Sequence, residues 1–141
     1  MFALALRVLL ALSRLVPCAP GDSLCPGTHA RAAVVIATAA SESADPEHAV
    51  ALLLGIGAHE TGFRTERQAE GGPAVTWWQL EVPPAQRAAL LADPIAAARL
   101  ALLRARLCGL RAYACGRCDC GESAAKELWR YVVSARWAMR P

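Results

Sequence analysis

Asp45-Pro46-Glu47-His48-Ala49-Val50-Ala51-Leu52-Leu53-Leu54-Gly55-Ile56-Gly57-Ala58-His59-Glu60 is the stretch that decides the architecture. Asp45 is an N-cap residue type, Pro46 suits the first helical position, and Glu47 complements the positive end of the helix dipole. These signals predict a helix from Pro46 to about His59. Its apolar residues (Ala49, Val50, Leu52, Leu53, Leu54, Ile56) surround the axis instead of forming one stripe, so it is expected at the centre of a core. Gly55 and Gly57 lower helix propensity, which points to close backbone packing near the helix end. Gly62 supplies the stop.

Outward from this helix the pattern stays helical. Thr28 can cap a small-residue helix from His29 to Ala40 that buries Val34, Val35 and Ile36. Further helices are expected over Pro83–Ala92, then from Ile95 to Leu110 after the Asp93-Pro94 start, and from Glu122 to about Met139. In the last of these, Leu128 and Val132, and Trp129 and Val133, recur at four-residue spacing. Residues 63–82 lack helical periodicity, and a segment this long in a compact domain is a functional loop or a small irregular hairpin. The chain has 141 residues, 55% hydrophobic and 19% charged, which suits one mainly α domain and excludes disorder. The net charge of +3 is carried by arginines dispersed along the chain, with Lys126 the one lysine. That dispersion favours no nucleic-acid groove, although it gives mild attraction to a polyanionic surface.

Residues 1–27 read as an N-terminal amphipathic helix followed by a Cys/Pro loop, ahead of a domain over 28–141. Arg7 and Arg14 stand two helical turns apart and share a face. A cleaved export signal is the rival reading, disfavoured by the short apolar run Val8–Leu12 and the lack of an A-x-A site. No segment has the length of a transmembrane helix.

Glu60 closes the most hydrophobic helix, just before a turn and a polar loop. Burial there would hold its carboxyl protonated near neutral pH, the state needed to protonate a glycosidic oxygen. The negative end of the helix dipole pushes the same way. His59-Glu60-Thr61-Gly62-Phe63 resembles the Glu-Ser-Gly-Phe motif of lytic transglycosylases and goose-type lysozymes, with threonine keeping the hydroxyl. Trp77-Trp78-Gln79-Leu80 resembles their second motif, Gly-Leu-Met-Gln, whose glycine falls on Thr76. Ala112-Tyr113-Ala114-Cys115-Gly116 resembles their third, Ala-Tyr-Asn-Ala-Gly, with Ala114 and Cys115 departing from it. The three occur in the family's order and together cover roughly residues 30 to 137.

The resemblance implies a lysozyme-like helical domain whose irregular loop or small hairpin forms a glycan cleft. It implies cleavage of the MurNAc-GlcNAc β-1,4 bond of peptidoglycan, with Glu60 as catalytic acid and base and with Thr61, Trp77, Trp78, Gln79 and Tyr113 as substrate-binding residues. Gln79 would hydrogen-bond an N-acetyl group, and Tyr113 would place its hydroxyl near Glu60. One of Trp77 and Trp78 is expected at the cleft and the other in the core. Glu66, Glu70 and Glu81 are available as a second carboxylate, but no motif recommends any of them. In the resembled family one glutamate suffices, giving a 1,6-anhydro product; attack by water would make a lysozyme instead. A non-catalytic module of a wall, secretion or phage assembly is the alternative from another class.

No cofactor is expected, and the partner is the peptidoglycan glycan strand, met by a monomer in the periplasm, outside the cell or on a virion. In such a setting the six cysteines read as disulfides, Cys18–Cys25, Cys108–Cys118 and Cys115–Cys120. Zinc on Cys108, Cys115, Cys118 and Cys120 is the rival, disfavoured by the spacing. His59-Glu60 opens no His-Glu-x-x-His metalloprotease site, because Phe63 stands where the second histidine is needed. His29 and His48 are expected on helix surfaces.

Overall fold

A computed structural model describes residues 1–68, 71–107, 109–111, 113 and 118–141. Among these, six helices and one two-stranded hairpin follow in the order α1 (Phe2–Leu15), α2 (Cys25–Ser41), α3 (Pro46–Glu60), β1 (Ala74–Val75), β2 (Leu80–Glu81), α4 (Pro84–Ala92), α5 (Pro94–Leu107) and α6 (Glu122–Ala138). The architecture is mainly helical.

Helix α3 begins as its sequence requires. The Asp45 carboxylate accepts a hydrogen bond from the His48 amide at 2.9 Å, satisfying one of the free donors of the first turn. From Ala49 to Gly57 every residue of α3 is buried. Helices α1, α2, α5 and α6 all pack on it, and their buried residues form one continuous core with it. The contact with α6 is the most extensive. Gly55 is the reason it can be so close: a Cβ there would lie 2.6 Å from the Val132 nitrogen. Gly57 makes the equivalent room for the Phe63 ring, which a Cβ at that position would overlap. Both glycines therefore serve close packing, as their cost in helix propensity implied.

Helix α1 contributes Val8, Ala11 and Leu12 to the same core, while Phe2, Leu6 and Leu10 face outward. Helix α2 starts at Cys25, three residues beyond Asp22, and not at His29. The Asp22 carboxylate accepts from the amides of Leu24 and Cys25, and Pro26 fits the first turn. Thr28 is inside the helix and donates its hydroxyl to the Leu24 carbonyl, so it is not the cap. Val35 and Ile36 are buried, but Val34 is 57% exposed. Three consecutive helical residues span about 200° of arc, too wide for one buried face. In α6, Leu128 and Val132 face the core, whereas Trp129 and Val133 are on the outer side.

The segment between α3 and α4 is a small irregular hairpin. Ala74 pairs with Glu81 and Val75 with Leu80, antiparallel, and Arg67 forms an isolated bridge to Val75. The Gln68 amide donates to the Ala74 carbonyl and the Thr76 amide to the Glu66 carbonyl. Arg104 on α5 ties the far strand down by donating to the Glu81 carbonyl. No helix among the described residues is long and apolar enough to cross a membrane.

Candidate functional site

The end of α3, the hairpin and Tyr113 enclose a cleft of roughly 660 Å³. Glu60, Thr61, Gln79 and Tyr113 all line it, together with Arg64, Arg67, Gln68 and Glu81. Residues from three distant parts of the sequence thus converge on one cavity, and its wall is predominantly polar.

Glu60 ends α3, and its side chain is 24% exposed, so its burial is only partial. Its Oε1 lies 3.3 Å from His59 Nδ1. The His59 ring is held edge-on against Tyr131 of α6, centroids 5.1 Å apart, and its Nε2 lies 3.8 Å from the Glu127 carboxylate. An imidazole thus sits between the cleft carboxyl and a second acid on the outer side.

Thr61 is a joint between the walls. Its hydroxyl donates to the Trp77 carbonyl at 3.0 Å and accepts from the Phe63 amide at 3.1 Å. Its one proton has two acceptors in reach, the Trp77 carbonyl at 3.0 Å and the Gly57 carbonyl at 3.4 Å. The group therefore positions the backbone of two segments while it also lines the cleft.

Trp77 and Trp78 are 1% and 0% exposed, and neither lines the cleft. The expectation of one indole at the cleft is corrected. Trp78 Nε1 donates to the Leu53 carbonyl of α3 at 2.9 Å, and Trp77 packs between Phe63 and Trp78 with the Arg31 guanidinium 5.1 Å from its ring. The pair anchors the hairpin on the central helix, so no indole face is offered to a sugar.

Gln79 adopts φ 47°, and both its amide and its Nε2 donate to the Thr76 carbonyl. Its side-chain carbonyl has no partner among the described residues and is free to accept. Phe63 and Thr76 also have positive φ, at 57° and 72°. For a non-glycine residue this region costs about 1–2 kcal/mol each; of the three, Gln79 lines the cleft, while Phe63 and Thr76 are buried behind it.

The Tyr113 hydroxyl is buried and has no hydrogen-bond partner among the described residues. Burial pushes its phenol well above the ordinary range; Arg104 opposes this and the Glu60 carboxylate adds to it. The group stays neutral and keeps a proton to donate. A buried orphan hydroxyl beside a cleft is costly unless something else completes it.

Of the other loop acids, Glu66 is held by a two-pronged ion pair with Arg31 on α2, and Glu70 lies outside the described residues. Glu81 lines the cleft with Glu60, which sequence reasoning gave no ground to prefer. Arg64 and Arg67 were also missed; the one available signal was that they follow the Glu60 motif directly.

Cys18 and Cys25 are joined, as expected. Cys118 and Cys120 are also disulfide-bonded. The expected pairings Cys108–Cys118 and Cys115–Cys120 involve Cys108 and Cys115, which lie outside the described residues, as do Ala112, Ala114 and Gly116 of the third motif. Sulfurs in disulfides are not thiolate ligands, so Cys118 and Cys120 in this state are not zinc donors. His29 is a correction: it is buried beneath the Cys18–Cys25 bridge, with its ring nitrogens 3.8 and 3.6 Å from the two sulfurs. Those three side chains could gather a metal only with the sulfurs reduced. His48 is half-buried and shares a hydrogen bond with Arg136.

Compared with known proteins, the chain matches no family model, no curated protein and no solved structure.

Proposed function

We propose that this chain cleaves the MurNAc-GlcNAc β-1,4 bond of bacterial peptidoglycan, as a lytic transglycosylase of lysozyme-like helical fold. The observation that carries this is the single cleft shared by Glu60, Thr61, Gln79 and Tyr113. Those residues belong to the three sequence segments that resemble the motifs of that family, and nothing about their spacing along the chain requires them to meet.

Glu60 protonates the bridging oxygen as the bond from C1 of MurNAc to it breaks. The N-acetyl carbonyl of the same sugar stabilises the positive charge developing at C1. The Glu60 carboxylate then takes the proton from the C6 hydroxyl as its oxygen bonds to C1, giving the 1,6-anhydro end and restoring the acid. Gln79 accepts from the N-acetyl N–H through its free carbonyl, and Tyr113 donates to an oxygen of the bound sugar. Thr61, Trp77 and Trp78 hold the walls at the right separation. The disulfides fit an oxidising setting, the periplasm, the medium or a virion.

Glu81 favours a second reading. It is another carboxylate on the same cleft and could activate water, which would make the protein a hydrolytic lysozyme. The test is digestion of purified peptidoglycan by wild type and Glu60→Gln, with mass spectrometry of the released glycans. Wild type is expected to clear the wall and leave 1,6-anhydromuramoyl ends. Glu60→Gln is expected to lose nearly all activity with its thermal midpoint kept, since glutamine preserves size but cannot cycle a proton. Reducing ends heavier by one water select the lysozyme reading. Undiminished clearing by Glu60→Gln removes the assignment, and no clearing by wild type leaves a non-catalytic wall-binding module.

A further inference from the structure

Cys25 opens α2, and one turn further along the same helix His29 lies beneath the bridge that joins Cys25 to Cys18. The imidazole is 3% exposed, while both cysteines are only partly buried. Its Nδ1 is 3.8 Å from Cys18 Sγ and its Nε2 is 3.6 Å from Cys25 Sγ. Among the described residues these two sulfurs are the only hydrogen-bond contacts of the ring nitrogens. A disulfide sulfur is a weak acceptor, so the bridged state leaves a buried polar ring nearly unsatisfied.

The two sulfurs and a ring nitrogen lie within 4.8 Å of one another. Tetrahedral zinc, with bonds of about 2.3 Å to sulfur and about 2.0–2.1 Å to nitrogen, sets sulfur about 3.6 Å from nitrogen. The present contacts are already of that length, and only the sulfurs have to part. Two thiolates and a neutral imidazole leave a divalent ion with no net charge, which suits a half-buried place. Thiolate with imidazole is a donor set that selects zinc over magnesium or calcium. A hollow of roughly 290 Å³, lined by Asp22, Cys25, His29 and Phe63 among others, adjoins the group. It supplies an entry path and room for a water as fourth ligand. Asp22 fixes the place of Cys25 from outside the group by accepting from its amide.

We propose that Cys18, Cys25 and His29 form a redox-controlled zinc site, closed as the disulfide and opened by a dithiol reductant. One thiolate of the dithiol attacks Cys18 Sγ, the S–S bond breaks, and the electron pair leaves on Cys25 Sγ, beside His29 Nε2. The second sulfur of the dithiol then displaces Cys18 and closes a cyclic disulfide. The dithiol is oxidised, the bridge is reduced, and the two protons of the dithiol pass to the cysteine sulfurs. Zinc binding replaces both protons, which go to solvent. An oxidising setting keeps the bridge closed, so the site opens only where a dithiol is supplied. The proposal does not depend on the glycan-cleavage reading.

The experiment compares the full chain, reduced in its folded state with excess dithiol and desalted without oxygen, with the same chain left oxidised. Zn²⁺ is titrated against a chromogenic chelator. A Cys18→Ser/Cys25→Ser double variant, treated alike, accounts for zinc taken by the other four cysteines. Reduced wild type is expected to bind one zinc more than the double variant, and oxidised wild type none. His29→Gln should weaken that zinc by about a hundredfold or more, beyond the roughly 10–100-fold of a group that merely orients a ligand. Because this variant removes a buried side chain, NMR of the imidazole nitrogens in wild type is read as well. Zinc should shift the His29 signals in the reduced chain and leave them unmoved in the oxidised one. Equal zinc in wild type and double variant overturns the proposal, as does His29→Gln with undiminished affinity. So do unshifted His29 nitrogens in the reduced chain, or a bridge that the dithiol opens only after unfolding.

Discussion

Replacing Gly55 by alanine adds one methyl group at the α3–α6 contact. That methyl would sit 2.6 Å from the Val132 nitrogen, 2.7 Å from its Cα and 2.9 Å from the Tyr131 carbonyl carbon. All three are backbone atoms, so no side-chain rotation relieves the overlap. Ordinary contact begins near 3.4 Å, and the two helices must part by roughly 0.8 Å to reach it. A gap of that size forfeits about a quarter to a half of the dispersion attraction for atoms left facing it. Overpacking of this kind costs about 1–3 kcal/mol, and alanine recovers about 1 kcal/mol in helix propensity. The interface is the largest in the molecule and both partners are rigid helices, so the loss is placed at the upper end. A net destabilisation of about 2 kcal/mol follows, a fall in thermal midpoint of roughly 6–10 °C for a domain of this size. Urea denaturation should give a lower midpoint with an unchanged slope. The same separation draws Tyr131 away from His59, beside Glu60, so activity should fall as well. An alanine variant as stable as wild type, or more so, would refute the tight-contact account and leave helix propensity as the dominant effect.

Tyr113→Phe should keep stability or raise it by about 1 kcal/mol, because it removes a buried hydroxyl that lacks a partner among the described residues, while lowering turnover by about tenfold or more. A loss of more than about 2 kcal/mol in thermal or urea unfolding would mean that the hydroxyl is satisfied in the folded chain. Stability should also fall with acid through the histidines. Burial lowers the His29 value, against Asp22, and burial with Arg136 lowers that of His48. The unfolded chain then binds more protons below the ordinary value of 6.5, so stability is fully present above it and declines as pH drops below it. Denaturant midpoints at a series of pH values check this, and a His48→Gln variant should show a shallower decline.

The central helix was legible because its signals are local. Asp45, Pro46 and the all-round apolar pattern fix a start and a burial state without reference to any other segment. The cleft was legible in part, because Glu60, Gln79 and Tyr113 fall in short motifs that resemble a known pattern. His29 was misjudged for the opposite reason: what buries it is the bridge between Cys18 and Cys25, a contact that no helical period can report. Trp77 and Trp78 look alike in sequence to ring platforms at a sugar cleft, and only the packing of the hairpin on Leu53 and Phe63 turns both inward. Thr76 is the most instructive departure. It stands where the resembled motif has glycine, and its φ of 72° is the conformation that favours glycine. The local geometry fits the motif even where the residue does not, with Thr76 buried and strained in place.

The single hydroxyl of Thr61 ties the end of α3 to the turn that carries Gln79, and this bears on how the molecule breathes. Separating the two segments breaks the bond to the Trp77 carbonyl and removes what orients the hydroxyl that accepts from the Phe63 amide. Amide protons on the two walls of the cleft then belong to one cooperative unit, exchanging with solvent at a common rate although they are 16 residues apart. A bound strand that bridged the walls would slow that exchange on both sides together, and the protection would extend to amides that it never touches.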